Sequence, residues 1–388
     1  MNAECCWEND LVRTVGWLAV ILMAIALSSM VGCGSSSTNT VSSTNTMYVA
    51  ASASRGVWGY YADFNIGSLT IINGSPFATQ QGPTAIVINP AHTFAYVANA
   101  SSDTITGYSF DLNGSMIANG TLTVGANPVA LAIDSSGKFL FVADQNSGSL
   151  SVLSIGVDGS LTPVEAQVML PKLQCPTPPS SPCPAPVSLA VTPSTSFLYV
   201  ADQMQNLVLT FQINSNTGVL TSNGALPPVA TGIAPSGLAM DAAGTLLYVA
   251  NRDSESVSGF TISADNSATP GDLTSIPGSF STGLSPVAAA VDPSGQFLYV
   301  ADKTSNQVSG FRIKSVSGTL SALSNSPYSS GSAPVFVAIS PTNKFLYVSN
   351  SGSSSISAYK IDPTSGNLIP ASGAVATGVA PAGIAFGR

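Results

Sequence analysis

The sequence predicts an all-β protein built as a seven-bladed β-propeller with four strands in each blade. One phrase, an aromatic residue followed by Val and a small residue, closes an apolar run seven times in the 388 residues. Successive copies lie between 45 and 58 residues apart. Repeats of about 40 to 50 residues are typical of propellers, and such a period outweighs any single-residue signal. The aromatic residues of the phrase are Tyr48, Tyr96, Phe141, Tyr199, Tyr248, Tyr299 and Tyr347.

Each repeat contains four segments with the character of a strand. A Pro-led apolar segment comes first, and a tight turn such as Asp292-Pro293-Ser294-Gly295 follows it. The aromatic-Val segment comes next, then an alternating segment such as residues 257–262, and last a weaker segment after a Gly-Xaa-Leu turn. Short runs of Val, Ile, Tyr and Phe separated by Gly, Asn, Asp, Ser and Pro indicate strands joined by hairpins. Four such strands in each repeat make a propeller blade.

The two ends of the chain predict how the ring closes. The Pro-led segment also occurs seven times, from Pro83 to Pro381. The first aromatic-Val phrase, at Tyr48, has no Pro-led segment before it, and the segment at Pro381 has no such phrase after it. Closed rings leave no long exposed edges. We therefore expect the C-terminal strand to complete the blade that begins near Thr46.

The N-terminus has the character of a targeting segment. Residues 15–31 form an apolar run that is short for a membrane span. The run ends at Val31-Gly32-Cys33, which resembles the lipobox of bacterial lipoproteins, and a Ser/Thr-rich tract follows it. The resemblance implies that Cys33 is lipidated and that the protein is exported to the cell envelope, on its periplasmic or surface side. A lipid would then be its only membrane attachment.

The targeting segment also departs from the usual lipoprotein pattern. Met30 stands where Leu is usual, and acidic residues outnumber the single Arg13 at the very N-terminus. An uncleaved signal anchor is therefore the alternative. The sequence predicts three regions: a signal segment at 1–33, a flexible tether at 34–46 and the propeller at 47–388.

Two cysteines of the predicted propeller lie in a Pro-rich segment. Cys175 and Cys183 are eight residues apart, within the insertion at 169–186 that makes one repeat longer than the others. An even pair in an exported protein predicts a local disulfide. The insertion precedes a Pro-led strand, so it is expected on the same face as a ligand, either as a partial lid or as a neutral surface loop.

Composition limits the classes of partner. Only 8% of the residues are charged, and the formal net charge is −8. No basic stripe is present, which argues against a nucleic-acid partner. We expect a monomer, because one closed ring of repeats can form a complete body.

The repeat resembles a known family of propellers. Residues 286–302 read PVAAAVDPSGQFLYVAD, and VSGFRI follows at 308–313. This pattern is similar to the bacterial lactonase-family seven-bladed propellers, the 6-phosphogluconolactonase-like and YVTN-type repeat proteins. Fungal carboxy-muconate lactonising enzyme is a more distant relative. The resemblance covers roughly residues 46–388 and implies the fold and a lactone-opening activity.

Polar residues at the ends of the second strands form the first group of candidate site residues. We expect them to form a ring around one mouth of the central channel, where carboxylates could activate water and the ring could hold a divalent cation. The alternative is a structural role, in which each side chain caps the next turn. The group comprises Asn99, Asp144, Asp202, Asn251, Asp302 and Asn350.

A second group comprises the catalytic candidates, among which the cluster from Arg252 to Glu255 breaks the repeat. Carboxylates would act as the general base, while Arg252 or Lys303 would stabilise an oxyanion. A solvated loop is the alternative interpretation. The group comprises Arg252, Asp253, Glu255, Asp302 and Lys303.

Other catalytic and binding signals are weak. The single histidine, His92, lies in a turn that should open on the opposite face and be exposed, and Asp134, Asp241 and Asp292 belong to equivalent turns. No nucleophile elbow, P-loop or metal-ligand spacing is present in the sequence, so neither a cofactor nor a metal is predicted.

Two functions remain open from the sequence. The favoured one is a lipid-anchored module that binds an envelope protein or glycan through its channel face. The alternative is a lactonase of the 6-phosphogluconolactonase type, with a small lactone or carbohydrate as its substrate. Fold alone does not decide between them.

Overall fold

A computed structural model describes residues 45–175, 183–222 and 226–388, and every regular element in these ranges is a β-strand. The strands form seven antiparallel sheets. Each sheet contributes one inner strand, and each inner strand contacts those of two neighbouring sheets, so that the seven inner strands form a closed ring. The predicted seven-bladed propeller is confirmed.

The inner strands begin at the seven prolines identified in the sequence. Proline fits the first position of a strand, where no ladder donor is needed. The inner strands are β5 (Pro83–Ile88), β9 (Pro128–Ile133), β14 (Pro186–Val191), β19 (Pro235–Met240), β24 (Pro286–Val291), β29 (Pro334–Ile339) and β33 (Pro381–Phe386).

The second strands contain the aromatic-Val phrase and are almost completely buried. They are β1 (Thr46–Ala51), β6 (Phe94–Asn99), β10 (Phe139–Asp144), β15 (Phe197–Asp202), β20 (Leu246–Asn251), β25 (Phe297–Asp302) and β30 (Phe345–Asn350). Strand β1 already begins at Thr46, so the last residue of the predicted tether belongs to the propeller. We number the blades 1 to 7 in the order of these strands.

The third strands are mostly buried rather than alternately buried and exposed, so the alternation in their sequence does not appear in their burial. They are β2 (Gly56–Asp63), β7 (Thr104–Phe110), β11 (Ser149–Ile155), β16 (Leu207–Ile213), β21 (Ser256–Ile262), β26 (Gln307–Ile313) and β31 (Ser355–Ile361).

The outer strands differ from the simple prediction of one strand in each blade. Blades 2 and 7 have one long outer strand, whereas the other five blades have two short pieces that both pair with the third strand. A proline such as Pro76 or Pro327 separates the pieces in four of these blades, because it removes a ladder donor. The outer strands are β3 (Ser68–Ile71), β4 (Phe77–Ala78), β8 (Met116–Thr123), β12 (Leu161–Pro163), β13 (Val168–Met169), β17 (Leu220–Ser222), β18 (Val229–Ala230), β22 (Leu273–Ser275), β23 (Phe280–Ser281), β27 (Leu320–Ala322), β28 (Tyr328–Ser329) and β32 (Leu368–Ala376).

The C-terminal strand closes the ring. Strand β33 pairs antiparallel with β1, with Tyr48 opposite Ala385 and Val49 opposite Ile384. It therefore takes the inner position of blade 1, whose other strands come from the N-terminal part of the propeller. The predicted closure is confirmed.

The tyrosines of the repeated phrase connect neighbouring blades. Five of the six tyrosine hydroxyls donate to the carbonyl of a glycine in the hairpin between the third and outer strands of the next blade. The distance from the Tyr248 hydroxyl to the Gly318 carbonyl oxygen is 2.7 Å, for example. Buried tyrosines usually find such a partner. The five pairs are Tyr48–Gly114, Tyr96–Gly159, Tyr199–Gly271, Tyr248–Gly318 and Tyr299–Gly366.

Two of the seven junctions lack this bond. Phe141 has no hydroxyl, and the buried hydroxyl of Tyr347 has no hydrogen-bond partner among the described residues. Tyr347 lies at the junction that the C-terminal strand closes, where its ring contacts Phe345 and Phe386. Aromatic packing therefore replaces the hydrogen bond at the closing junction.

The tyrosine–glycine bond can be tested by comparing two identical substitutions. Tyr248→Phe should lower the free energy of unfolding by about 1 kcal/mol, because the Gly318 carbonyl loses its donor inside the protein. Tyr347→Phe is the matched control and should cause no loss, since it removes a hydroxyl that has no partner. Urea unfolding of both variants measures the difference, and equal losses would contradict the assignment.

Candidate functional site

The loops that precede the inner strands and those that link second to third strands meet on one face of the propeller. Backbone amides of the second type of loop donate to carbonyls of the first, as in Arg252 to Ala234 and Lys303 to Ser285. We call this the entry face. It is the face on which the sequence predicts a ligand site.

The predicted polar ring is not open to this face. All six side chains, Asn99, Asp144, Asp202, Asn251, Asp302 and Asn350, are fully buried, with 0% exposure. The expectation of an accessible ring around the channel mouth, able to activate water or hold a cation, is therefore wrong for this structure. Their contacts explain why they are buried.

In five blades the buried side chain is hydrogen-bonded to a hydroxyl of the third strand, and we call the two residues a polar pair. The Ser151 hydroxyl donates to Oδ2 of Asp144 at 2.7 Å. Where the buried residue is an asparagine, its Nδ2 donates to the hydroxyl instead, as in Asn251 to Ser258 at 2.9 Å. The five pairs are Asn99–Thr106, Asp144–Ser151, Asn251–Ser258, Asp302–Ser309 and Asn350–Ser357.

A glycine in the loop before the inner strand covers most of these pairs. The Gly232 amide donates to Oδ1 of Asn251 at 3.1 Å. A Cβ atom at Gly125 would lie 2.5 Å from the carboxyl carbon of Asp144, so no side chain fits there. The buried residue thus links the loop, the second strand and the third strand.

Blade 4 uses the same position to hold the insertion. Its third strand has Leu209 in place of the hydroxyl, and Asp202 is hydrogen-bonded instead to Nε2 of the buried Gln205 at 2.8 Å. The Gln205 side chain also accepts from the amides of Leu173 and Gln174 and donates to the carbonyl of Pro171. One buried Asp–Gln unit therefore fixes the start of the insertion to the propeller.

Asp202 also holds the other end of the insertion, since its Oδ1 accepts from the Ala185 amide at 3.2 Å. A disulfide joins Cys175 to Cys183, with their Cα atoms 5.8 Å apart. Residues 176–182 of the insertion lie outside the described residues, as do Cys33 and the rest of the predicted signal segment and most of the tether.

Two of the buried carboxyls lie in an unfavourable environment. Oδ1 of Asp144 and Oδ1 of Asp302 are buried and have no hydrogen-bond partner among the described residues. Burial raises the pKa of Asp144 to about 7 and that of Asp302 to about 6, against the opposing effect of the hydroxyls of Ser151 and Ser309. Neither carboxyl reaches solvent, which argues against Asp302 as a catalytic base.

The remaining catalytic candidates lie on the entry face without forming a catalytic group. Arg252 makes an ion pair with Asp253, with 2.6 Å between Nε and Oδ1. The guanidinium lowers the pKa of the Asp253 carboxyl, which makes it a weaker base. Glu255 and Lys303 are exposed.

Glu255 also obeys the repeat, contrary to the expectation that its cluster breaks it. Its backbone has a φ of 51°, and the residues before the other third strands have similar positive values, as Arg55, Asp103 and Asn306 do. In three blades this residue caps the next blade, for example through Asn306 Oδ1, which accepts from the Ala333 amide. The conformation at Glu255 therefore belongs to the scaffold.

The turns between the inner and second strands lie on the opposite face. Oδ1 of Asp292 accepts from the backbone amides of Gln296 and Phe297, and Asp134 and Asp241 hold their turns in the same way. His92 is half-buried rather than exposed, in the turn held by Asn89. These residues organise turns and do not face the entry side.

The central channel contains a cavity of about 310 Å³ that all seven inner strands line. Its side chains are mainly small and aliphatic, and none of the described residues that line its wall is charged. Sequence reasoning missed this site because its residues obey the repeat and resemble scaffold. Among the lining residues, Val129, Val187, Val287 and Val335 directly follow the prolines.

The polar side chains of the cavity wall are already engaged. The Thr84 hydroxyl donates to the carbonyl of Pro128 at 3.1 Å, and the Ser188 hydroxyl accepts from the Leu238 amide at 3.0 Å. In the part of the chain that the structure describes, no cluster of three or more His, Cys, Asp or Glu residues could hold a metal ion, and no helix is long and apolar enough to cross a membrane.

The two carboxyls with raised pKa values predict a specific dependence of stability on pH. Between about pH 4 and pH 7 the folded protein keeps protons on Asp144 and Asp302 that the unfolded chain has released, so the free energy of unfolding falls as the pH rises. The double variant Asp144→Asn/Asp302→Asn should therefore gain stability over wild type as the pH rises from about 4, and the gain should reach several kcal/mol at pH 8. Denaturant unfolding across this range measures it.

Natural asparagines at the same position show that an amide fits, as in Asn251. Asp202→Asn is the contrasting control, because an amide would place a donor against Nε2 of Gln205 or remove an acceptor from Ala185. It should lower stability throughout the range. A double variant with the pH dependence of wild type would contradict the assignment of the two carboxyls.

Comparison with solved structures supports the propeller fold at low sequence identity. A Bacteroides fragilis protein with a proposed 6-phosphogluconolactonase activity is 21% identical, with a TM-score of 0.78 over 90% of this chain and 99% of that protein. A periplasmic gluconolactonase of Pseudomonas aeruginosa is 22% identical, with a TM-score of 0.76 over 89% and 99%. A Lactobacillus plantarum protein is 20% identical, with a TM-score of 0.76 over the same shares.

Comparison with curated proteins found no match. The family model described as "Lactonase, 7-bladed beta-propeller" matches residues 44–178, 184–276 and 269–382, which is nearly the whole propeller. The protein therefore belongs to the lactonase family of seven-bladed β-propellers.

Proposed function

We propose that this propeller is a binding module that takes its ligand at the entry face and the central channel, without hydrolysing it. The observation that carries the proposal is the burial of the strand-end carboxylates. Asp144, Asp202 and Asp302 lie inside their blades with 0% exposure, so they cannot contact a ligand in the channel.

The exposed candidates do not replace them. Lactone hydrolysis needs a base that activates water and a group that stabilises the oxyanion, both within reach of one carbonyl carbon. Arg252 is engaged with Asp253, whose lowered pKa weakens it as a base. A binding role needs only a shaped cavity, which the channel provides.

Lactone hydrolysis is the second candidate, and family membership favours it. One similar protein carries the name gluconolactonase and another has a proposed 6-phosphogluconolactonase activity, although identities of 21–22% extend only to the fold. The two functions differ in what they predict for a simple assay.

In the presence of the purified protein, glucono-δ-lactone and 6-phosphogluconolactone should hydrolyse no faster than in buffer alone. Arg252→Ala should leave that rate unchanged, because the guanidinium is paired with the carboxylate of Asp253. A pH-stat titration measures the acid released. A rate clearly above buffer that Arg252→Ala abolishes would reject the binding role in favour of the lactonase.

We also propose export and attachment of the protein to the cell envelope through a lipid on Cys33. The proposal is supported by Val31-Gly32-Cys33 after an apolar run and by the Cys175–Cys183 disulfide, which suits an oxidising compartment.

Cys33→Ser should move the protein from the membrane fraction to the soluble fraction and abolish incorporation of labelled fatty acid. Cys6→Ser is the matched control and should change neither. Labelling that persists in Cys33→Ser would contradict the lipid site.

A further inference from the structure

The uncharged wall of the central cavity restricts which ligands can bind there. The cavity of about 310 Å³ is lined by Val, Ala, Leu, Ile and Phe side chains together with Thr84, Ser188 and Gly383. No described charged side chain belongs to this wall, because the acids of the second strands lie within the blades. An ionised ligand in this cavity would find no counter-ion.

The wall also offers uncharged hydrogen-bonding groups. Each inner strand ends its sheet, so one of its edges carries backbone N–H and C=O groups that no partner strand of the sheet takes up. A neutral ligand with one or two oxygen atoms could use these groups. The aliphatic side chains between them suit an apolar part of the same ligand.

The rim of the cavity extends the apolar character to the entry face. Ile233, Leu284 and Val379 each lie two residues before an inner strand and are 59%, 46% and 58% exposed. Their backbone amides donate to Ser254, Ser305 and Ser54, which fixes the loops that present them. Three neutral side chains therefore lie on loops that lead into the cavity.

The size of the cavity suits one small molecule. An apolar protein cavity of about 150 Å³ holds a benzene ring, so the channel has room for a single ring with a short chain. A phosphorylated sugar lactone fits poorly, because burial of an ionised phosphate without a cation costs several kcal/mol. The overall charge of −8 adds to the disadvantage of an anion.

We propose that the channel binds a neutral ring ester or alcohol that carries a short alkyl chain, and that it excludes anionic ligands, including phosphorylated lactones. This inference rests on the proposed binding function and names its ligand class. The channel would then select its ligand by the absence of charge and by the alkyl chain, rather than by sugar hydroxyls.

Isothermal titration of the full chain with a matched pair of probes tests the inference. The pair is δ-octalactone and the hydroxy acid that forms when its ring opens, which differ mainly in charge. We expect the lactone to bind about tenfold or more tightly than the hydroxy acid, which is the ratio that about 1.4 kcal/mol of desolvation gives. Glucono-δ-lactone, neutral but fully hydroxylated, should bind more weakly than δ-octalactone. Equal binding of lactone and hydroxy acid, or binding of neither, overturns the inference.

A charge placed in the cavity wall supplies the second arm. Val287 lines the cavity, and Val287→Lys should weaken lactone binding about tenfold and bring in the hydroxy acid. Val157→Lys is the matched control, because Val157 is fully exposed at 103% in a hairpin of the opposite face. It should bind like wild type. If thermal melting shows that Val287→Lys is unfolded, Val335→Lys replaces it at the equivalent position of the next blade.

The same titrations separate this inference from the proposed function. Acid release from δ-octalactone above the buffer rate, with the lactone still preferred over the hydroxy acid, rejects the non-catalytic role and supports the neutral ligand class. A preference for the hydroxy acid without acid release rejects the ligand class and leaves the binding role in place.

Discussion

The structure depends on a buried polar side chain at the end of six of the seven second strands. In blades 2 to 7 this residue is Asp or Asn with no exposed surface. A buried polar group needs partners, and here they come from three segments: the second strand itself, the third strand or its turn, and the loop that leads to the inner strand. The hydrogen bonds form together only when all three segments are in place. The residue thereby sets the geometry of the entry face, and the glycines above it follow from the close approach that this requires.

The same burial decides the chemistry of the channel. A carboxylate directed into its blade cannot also line the central axis, so the wall of the cavity is left to the inner strands. Those strands consist of aliphatic residues because their side chains pack between neighbouring blades, as Ala288 and Ala289 do on the two sides of β24. A neutral channel is therefore a consequence of how the blades are stabilised.

The repeat in the sequence predicted the number of blades, the strand order and the closure by β33, because periodicity identifies equivalent residues and unmatched ends identify the shared blade. It could not predict which way the strand-end side chains point, because a repeat shows which residues are equivalent but not whether they face the channel or the interior of the blade. One signal pointed to the correct answer. Asn99 and Asp144 occupy the same position, and a site that depends on charge would not exchange an amide for a carboxylate. The cavity valines carried no signal at all, since aliphatic residues in strands are expected everywhere.

Blade 4 shows how such a scaffold accommodates an individual feature. Replacement of the third-strand hydroxyl by Leu209 frees Asp202, and Gln205 and the Ala185 amide take up its oxygens. The insertion is thus held by the same buried position that elsewhere ties strand to strand, so its ends are as firmly placed as the blade. Blade 1 has no polar pair, because Ala51 and Trp58 occupy the two positions at which other blades have an amide or acid and a hydroxyl. In blade 1 the large ring of Trp58 fills the space over Gly378, and packing takes the role of hydrogen bonds. The regular blades therefore form the neutral channel, while blades 1 and 4, which depart from the common pattern, determine the shape of the entry face around it.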